Sequence, residues 1–402
     1  MVKYMSKVLY VYEKDMPTVR IMRDDLRFAE QKGGLTLRVK RLVDVTCEDV
    51  DWCDVLLQMR PNAPYSATLA KMAHNAGCFV VSFYDDDLYD LPEDHPNARW
   101  RRNSVIKTLK CTDAVMTSSP YIGQKYAKYT ENGKRYFMKH MAVDSDDVKQ
   151  IAGYQEDSAK KEPVKLVYAA NAGHVGLFNQ FILPIMPKLC QRYAGEISMT
   201  FMGVRPELSD YESAIDIQYL NSMPMDEYRQ RIKDGNYDIG LSPLVTTEFT
   251  KCKYFNKFIE YSIAGIVGVY SNTEPYTFIV QDGVNGFLVD DNPDAWFESL
   301  CRVIDDAQLR DRCICEAQRL LLEEFNPERL IEAREKEMPE MKEYHAKRTP
   351  CAGMKLQKMI YRFLCRPFDK AYIAWFYLRK KGIFGFIQKF KTHMRERHAY
   401  AE

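Results

Sequence analysis

Between Lys251 and Glu260 the chain places three lysines, Lys251, Lys253 and Lys257, ahead of one acid on an apolar-periodic segment. Lysine meets a phosphate as a point charge. A helix N-terminus in the same place adds unpaired N–H groups and the positive end of its dipole. A carboxylate can accept from two adjacent hydroxyls at once. These groups together suit a nucleoside diphosphate attached to a sugar. The plain alternative is a solvated helix face for two of the lysines and a surface acid for Glu260. A Glu near a helix C-terminus is electrostatically unfavourable, which argues against an accidental one.

Other residues could serve the same ligand. Asn272, Thr273 and Glu274 follow a buried apolar run and are expected to open a helix over 274–281. Their N–H groups and the Thr273 hydroxyl could then meet a phosphate, or simply cap the helix. Gly173 and His174 lie in the turn after an apolar run at 165–169, where a glycine permits close approach of a ligand. Arg205 follows the next run and offers charge, unless it is an ordinary loop arginine. In the N-terminal half, Asp85, Asp86 and Asp87 end the run CFVVSFY. Open α/β sheets bind ligands at the carboxyl ends of strands, and three adjacent like charges repel unless something offsets them. Asp85 and Asp86 suit hydroxyl binding, or capping of the next helix. His95 could aid proton transfer or shape a loop, and Arg20 is a candidate anion contact in the first βα connection.

Alternating strands and helices must position these groups. Strands are predicted at 8–12, 35–39, 54–59, 78–84, 113–117 and 136–140, with helices over 20–32, 65–76 and 101–110. A polar, charged stretch at 145–163 reads as a linker. A second series follows: strand 165–169, helix 176–193, strand 197–202, helix 225–233, strand 238–242, helix 254–263, strand 266–270, helix 274–281 and strand 286–289. Helices over 293–305, 307–323 and 326–336 complete it. Such alternation implies right-handed crossovers and parallel sheets. At 402 residues the chain exceeds one ordinary core. The domains are expected at 1–150 and 151–340, with a tail at 341–402.

An apolar fraction of 46% and a charged fraction of 28% are those of a globular protein. The net charge of +1 gives no general case for nucleic acid as a partner. Eleven cysteines without a CxxC pair read as free thiols in a reducing cytoplasm. The N-terminus reads as a first strand, not a signal peptide. No run reaches the ~18 apolar residues of a membrane span. Charge is nevertheless uneven: residues 351–402 hold 12 Lys and Arg against 3 Asp and Glu. Within that tail, 354–398 mix aromatics, aliphatics and bases. They read as two amphipathic helices parted at Gly382, with Pro367 and Gly385 as further breaks. Such helices suit an anionic membrane surface, packing on the N-terminal domain, or a partner protein.

Four segments, DVLLQMRPNAP with FVVSFYDDDLYDLPEDHPN, YAANAGHVGLFNQFILPIMPKL, DEYRQRIKDGNYDIGLSPL and KYFNKFIEYSIAGIVGVYSNTEPYTFIVQDGVNGFLV, occur in an order that resembles the GT-B glycosyltransferases. The resemblance covers about residues 7–340. It points to family 4-like members and to a subgroup that builds bacterial surface polysaccharides. It implies two Rossmann-like domains facing a cleft, with the acceptor in the first and a nucleotide-sugar donor in the second. It implies transfer with retention, no essential metal and no cofactor, the nucleotide-sugar being a substrate. Glu260 falls on the second acid of an E-x7-E motif, which binds the ribose hydroxyls. The first acid is replaced by Cys252, and Glu248 is at the wrong spacing to stand in. Lys253 and Lys257 become candidates for stabilising the leaving diphosphate, and Asp86 for catalysis at the acceptor. Gly173, His174, Arg205, Asn272, Thr273 and Glu274 would contact the donor, and Arg20, Asp85 and His95 the acceptor. The acceptor would be a glycan or lipid-linked glycan. The tail raises the expectation of a cytoplasmic enzyme held peripherally on the inner face of the plasma membrane. Two alternatives stay open: a catalytically silent GT-B subunit of a transferase complex, and a nucleotide-sugar epimerase.

Overall fold

A computed structural model describes residues 5–91, 95–138, 145–154, 163–170, 172–347 and 349–399. The chain forms two compact units. The first comprises Met1–Ala142, Cys252–Tyr254 and Pro327–Glu402, and the second Val143–Lys251 and Phe255–Asn326. Residues 327–340, assigned above to the second domain, and the tail are therefore parts of the first unit.

In the first unit, β1 (Lys7–Tyr12), β2 (Thr36–Arg41), β3 (Val55–Met59), β4 (Phe79–Tyr84), β5 (Ala114–Thr117) and β6 (Lys134–Phe137) form a parallel sheet of order β2-β1-β3-β4-β5-β6. The central runs VLLQM and FVVSFY are buried at every position, as strands covered on both faces must be. Two apolar layers flank the sheet: Leu26, Leu57 and Phe83 pack with Ile331 and Met341 on one side. On the other, Leu56 and Val80 pack with Tyr65, Met354 and Tyr361. The order reverses between β1 and β3, and ligands bind at such a switch point, outside the carboxyl ends of the strands.

In the second unit, β7 (Val164–Ala169), β8 (Ile197–Met202), β9 (Asp216–Leu220), β10 (Ile239–Ser242), β11 (Val267–Ser271) and β12 (Phe287–Val289) form another parallel sheet. Its order is β12-β11-β10-β7-β8-β9, with the switch point between β7 and β10. Phe178, Phe181, Phe201 and the fully buried Trp296 anchor its core. Gly203 ends β8 at φ +75°, and a Cβ there would lie 2.7 Å from the Ala170 carbonyl oxygen. The turns after β7 and β8 therefore meet backbone to backbone.

Several elements depart from the expectations. The helix expected over 176–193 is broken into Val175–Phe181, a 3-10 turn Leu183–Ile185 and Met186–Tyr193, because Pro184 and Pro187 remove donors. The helix expected over 274–281 is only a 3-10 turn, Tyr276–Phe278. Pro275 lacks an N–H and disfavours the α region for Glu274. The helix expected to begin at 254 begins at Asn256. Strand β9 was not anticipated; its half-exposed DIQYL pattern carries little apolar signal. Within the expected linker, Ser145–Ala152 is helical, with Asp147 buried and bonded by Lys233 at 2.9 Å. Residues 155–162 of that linker, and residues 139 and 140 of the predicted sixth strand, lie outside the described residues. In the tail, Met354–Ile360 runs through a π turn, Tyr361–Cys365, into a long helix Arg366–Ala399. That helix is interrupted at Gly382, where φ is 64°. Pro367 lies in its first turn, where a proline is tolerated, and Gly385 does not end it.

Candidate functional site

In the second unit, the first turn of a crossover helix lies at the carboxyl edge of the sheet, because the helix runs back along the strands it joins. The helices Met225–Asp234 and Asn256–Ile263 thus bring Tyr228, Lys257 and Glu260 together near that edge. Lys257 Nζ donates to Glu260 Oε2 at 2.7 Å and to Tyr228 Oη at 2.6 Å. Tyr228 Oη donates to the same Oε2 at 2.8 Å. Lys257 also lies over the Tyr228 ring, 4.8 Å from its centroid. Burial and the Glu260 charge push the Tyr228 hydroxyl well above its usual range, so it remains a donor. Both bonds fall on Oε2, and Glu260 Oε1 accepts none among the described residues. Tyr228 had no part in the sequence reading; it lies 32 residues from Glu260, and no motif spacing links the two.

The three lysines part company. Lys257 joins Glu260. Lys251 bonds the exposed Glu248 at 3.1 Å. Lys253 belongs to the first unit, where its charge acts on Asp86. Neither Lys251 nor Lys253 opens the helix that starts at Asn256, so only Lys257 is a helix-terminal lysine. Cys252, at the position of the missing acid, is buried at 3% exposure.

Gly173 and His174 belong to the 3-10 turn Ala172–His174, after β7 and beside the switch point. A Cβ at Gly173 would meet nothing within 4 Å. The His174 carbonyl accepts from Tyr168 Oη at 2.9 Å, which pins the turn. Arg205 is exposed after β8 and stacks on Tyr219, 4.6 Å from the ring centroid. Beyond β11, the reading of 272–274 as a phosphate cradle needs correction. The Asn272 N–H bonds Val289 O at 2.7 Å and the Thr273 N–H bonds Ser271 O at 2.8 Å. The Asn272 side chain is turned to Asp290 at 2.9 Å. What remains is the Thr273 hydroxyl, buried and 2.7 Å from that of Thr246, and the half-buried Glu274.

In the first unit, a cavity of about 300 Å³ opens at the β1/β3 switch point. Glu13, Lys14, Arg60 and Asn62 come from the ends of those two strands, and His95 and Asn97 from the loop after β4. Arg60 stands in the left-handed region at φ 50°, a conformation that costs a non-glycine residue energy and often marks function. Its Nη1 donates to Asp85 Oδ2 at 2.9 Å and its Nη2 to Asp86 Oδ2 at 3.1 Å. Asp85 also accepts from Thr18 at 2.7 Å. Burial and the neighbouring Asp85 charge raise the Asp86 carboxyl above its usual range, against the pull of Arg60 and Lys253. Asp87 is structural. Burial pushes its carboxyl up, but bonds from Lys125, Tyr126 and the Asp90 N–H outweigh this and hold it low. The repulsion within the triplet is thus offset by Arg60 and Lys125. Arg20 is not brought to the cavity: it lies in the helix Pro17–Gln31 and bonds Asp15 at 3.2 Å. His95 is exposed at the rim, its Nδ1 accepting from the Asn97 N–H at 3.2 Å. The Asn97 Nδ2 is buried with no partner among the described residues.

Arg101, which the sequence reading did not single out, is the hub of this cavity. Its Nη1 donates to Glu13 at 2.7 Å and Asn62 at 3.0 Å, and its Nη2 to Glu13 at 2.8 Å and Asp369 at 2.6 Å. Its Nε donates to Asp369 at 3.0 Å. Tyr361 adds a 2.6 Å bond to Glu13, and Trp100 Nε1 a 2.6 Å bond to Asp369. Burial pushes the Glu13 carboxyl up, but the Arg101 and Tyr361 bonds prevail and hold it below its ordinary range. Among the described residues no group of His, Cys, Asp and Glu is arranged to hold a metal ion.

Solved structures share this architecture. An alpha-glucosyltransferase in complex with UDP superposes with a TM-score of 0.58 at 12% identity, over 82% of this chain and 98% of its own. The fold is GT-B-like. Anabaena HepE in complex with UDP and glucose gives a TM-score of 0.55 at 12% identity, over 83% of this chain and 99% of its own. TarM gives 0.50 at 9% identity, over 70% of this chain and 54% of its own. An alpha-glucosyltransferase has also been solved with UDP and a 13-mer DNA containing an HMU base. No protein-family model and no curated protein matches the chain.

Proposed function

We propose that the protein is a nucleotide-sugar-dependent glycosyltransferase, with the donor bound by the second unit and the acceptor by the first. The observation that carries this reading is the carboxyl edge of the second sheet. There an open glycine turn stands at the switch point of a GT-B-like fold, with a lysine–tyrosine–glutamate cluster on the helices nearby. In the proposal Glu260 Oε1 accepts the ribose hydroxyls, while Lys257 and Tyr228 fix the carboxylate through Oε2. Gly173 lets the diphosphate approach the turn, and His174, Arg205, Thr273 and Glu274 contact the remainder of the donor. Asn272 serves only by shaping that loop. Lys257 is the first candidate for charge on the departing diphosphate, where fixed charge lowers the barrier most; Lys253 is the second. Asp86, with its raised carboxyl, aligns the acceptor hydroxyl beside Asp85 and His95.

Bound UDP in the alpha-glucosyltransferase and HepE structures supports a UDP-sugar as the first donor to try. Retention, a glycan or lipid-linked acceptor, a role in surface polysaccharide synthesis and peripheral membrane attachment through 354–398 complete the proposal. The basic tail supports the last of these. Among the described residues no helix is long and apolar enough to cross a membrane. The DNA-bound structure favours one second reading, a DNA acceptor. Labelled UDP-glucose tests both: transfer to membrane glycolipid extract supports the first reading, transfer to duplex DNA the second. Nucleotide binding without turnover on either would assign a silent subunit, which the buried Cys252 would then explain.

A further inference from the structure

The cavity of the first unit has a wall made by the carboxy-terminal helix: Asp369, Tyr372 and Ile373 line it. The Arg101 clasp fastens that wall to Glu13 at the end of β1 and to Asn62 after β3. Met354, Tyr361, Asp369 and Phe376 are buried against the unit, and their seven- or eight-residue spacing marks one helix face.

The other face is bare. Phe363 and Phe368 are each 68% exposed, Trp375 50% and Phe384 86%. Leu356, Met359, Leu364 and Ile383 are exposed as well. Arg362, Lys370, Arg379 and Lys380 are exposed among them. Asp369 is the sole acid between residues 351 and 395, and it is turned inward to Arg101 and Trp100. The outer face therefore offers aromatics and positive charge without a single described carboxylate. Large apolar side chains exposed in such number along one segment mark an interaction site. Its uncompensated charge matches anionic headgroups, into which aromatic side chains insert.

We propose that this helix seats on an anionic bilayer while its inner face walls the acceptor cavity. The acceptor is then an amphiphile whose sugar head reaches the cavity at the membrane surface, and Asp369 and Arg101 are positioning residues that keep cavity and bilayer in register. The words acceptor and sugar rest on the transferase reading; the seating and the wall do not.

The test uses the full chain with mixed phosphatidylcholine–phosphatidylglycerol vesicles whose acyl chains are brominated near the headgroup. Single-tryptophan variants retain either Trp375, on the outer face, or Trp100, which bonds the wall residue Asp369, with the other tryptophans changed to Phe. Both indoles are expected to be quenched, Trp375 more strongly. Phe363→Ser with Phe384→Ser should weaken vesicle binding at least tenfold. Asp369→Asn should keep vesicle binding but lose the quenching of Trp100, because the wall is no longer fastened. Quenching of Trp375 without Trp100 in the otherwise intact chain would overturn the proposal, since the cavity would then lie away from the bilayer. Absent vesicle binding would also overturn it, and self-association through the same face would assign that face to a second copy. A missing thermal shift with UDP-glucose would count against the transferase reading alone and leave the quenching result standing.

Discussion

Replacing Glu260 with Ala removes the acceptor of two short bonds, 2.7 Å from Lys257 and 2.8 Å from Tyr228. Bonds to a charged group contribute about 1.5–3 kcal/mol each at most. The side chain keeps 21% exposure, so solvent screens part of that, and the Lys257–Tyr228 bond survives the substitution. The unliganded protein should lose about 1–2 kcal/mol. For a unit of this size that lowers the melting temperature by about 2–8 °C. The effect on the donor is separate. If Oε1 holds the ribose diol, its loss weakens binding by about 1.5–3 kcal/mol, roughly 10- to 150-fold. A nucleotide at a hundredfold excess over its dissociation constant adds about 2.7 kcal/mol of stability. After a hundredfold loss of affinity the same concentration adds only about 0.4 kcal/mol. Differential scanning calorimetry of wild type and variant, each with and without UDP-glucose, separates the two effects. Glu260→Gln should recover part of the unliganded stability without restoring the nucleotide increment. An undiminished increment in Glu260→Ala would refute the assignment, whatever happens to the unliganded protein.

Three further outcomes follow from the geometry. Gly173→Ala should leave the unliganded melting temperature within about 1–2 °C, since the new methyl meets nothing within 4 Å; nucleotide affinity, read by calorimetric titration, should nevertheless fall. Glu13→Gln should flatten the acid limb of stability. The Glu13 carboxyl is held low in the folded state, so its contribution is whole above about pH 4.3 and lost as pH falls through the depressed folded value. Denaturant titrations across pH 2–6 (about the range in which carboxylates titrate) should show that loss in wild type only. Arg60→Met removes the cation that bonds Asp86 and holds its raised carboxyl down, so the variant should be destabilised more at neutral pH, where the Asp86 carboxyl must ionise, than near pH 4 (roughly the unperturbed Asp value). An equal loss at the two pH values would remove Arg60 from that role.

Much of the fold is legible in short apolar runs. DVLLQM, CFVVSFY and KLVYA could only be buried strands, and their alternation with periodic segments gave two parallel sheets. Pro184 and Pro275 are equally visible in the sequence, and each breaks a helix that apolar periodicity alone predicts through it. The Asp85–Asp86 pair was found because it ends a strand. Its partner Arg60 carries no such signal, since a left-handed backbone leaves no mark in composition. The Arg101 hub could not be read at all. Its partners stand 88 and 268 residues away, and only the return of the tail to the first unit brings them together. Lys253 was grouped with its sequence neighbours rather than with the unit it joins, for the same reason.

Nucleotide binding at the β7/β10 switch point is the central expectation. Hydrogen exchange of the full chain, with UDP-glucose and its guanosine and thymidine counterparts, tests it directly. At least one of them should slow exchange in the turn at 172–176, the segment at 243–247 and the first turns of the helices holding Tyr228 and Lys257. Protection confined to the first unit, or none with any of the three, would contradict it.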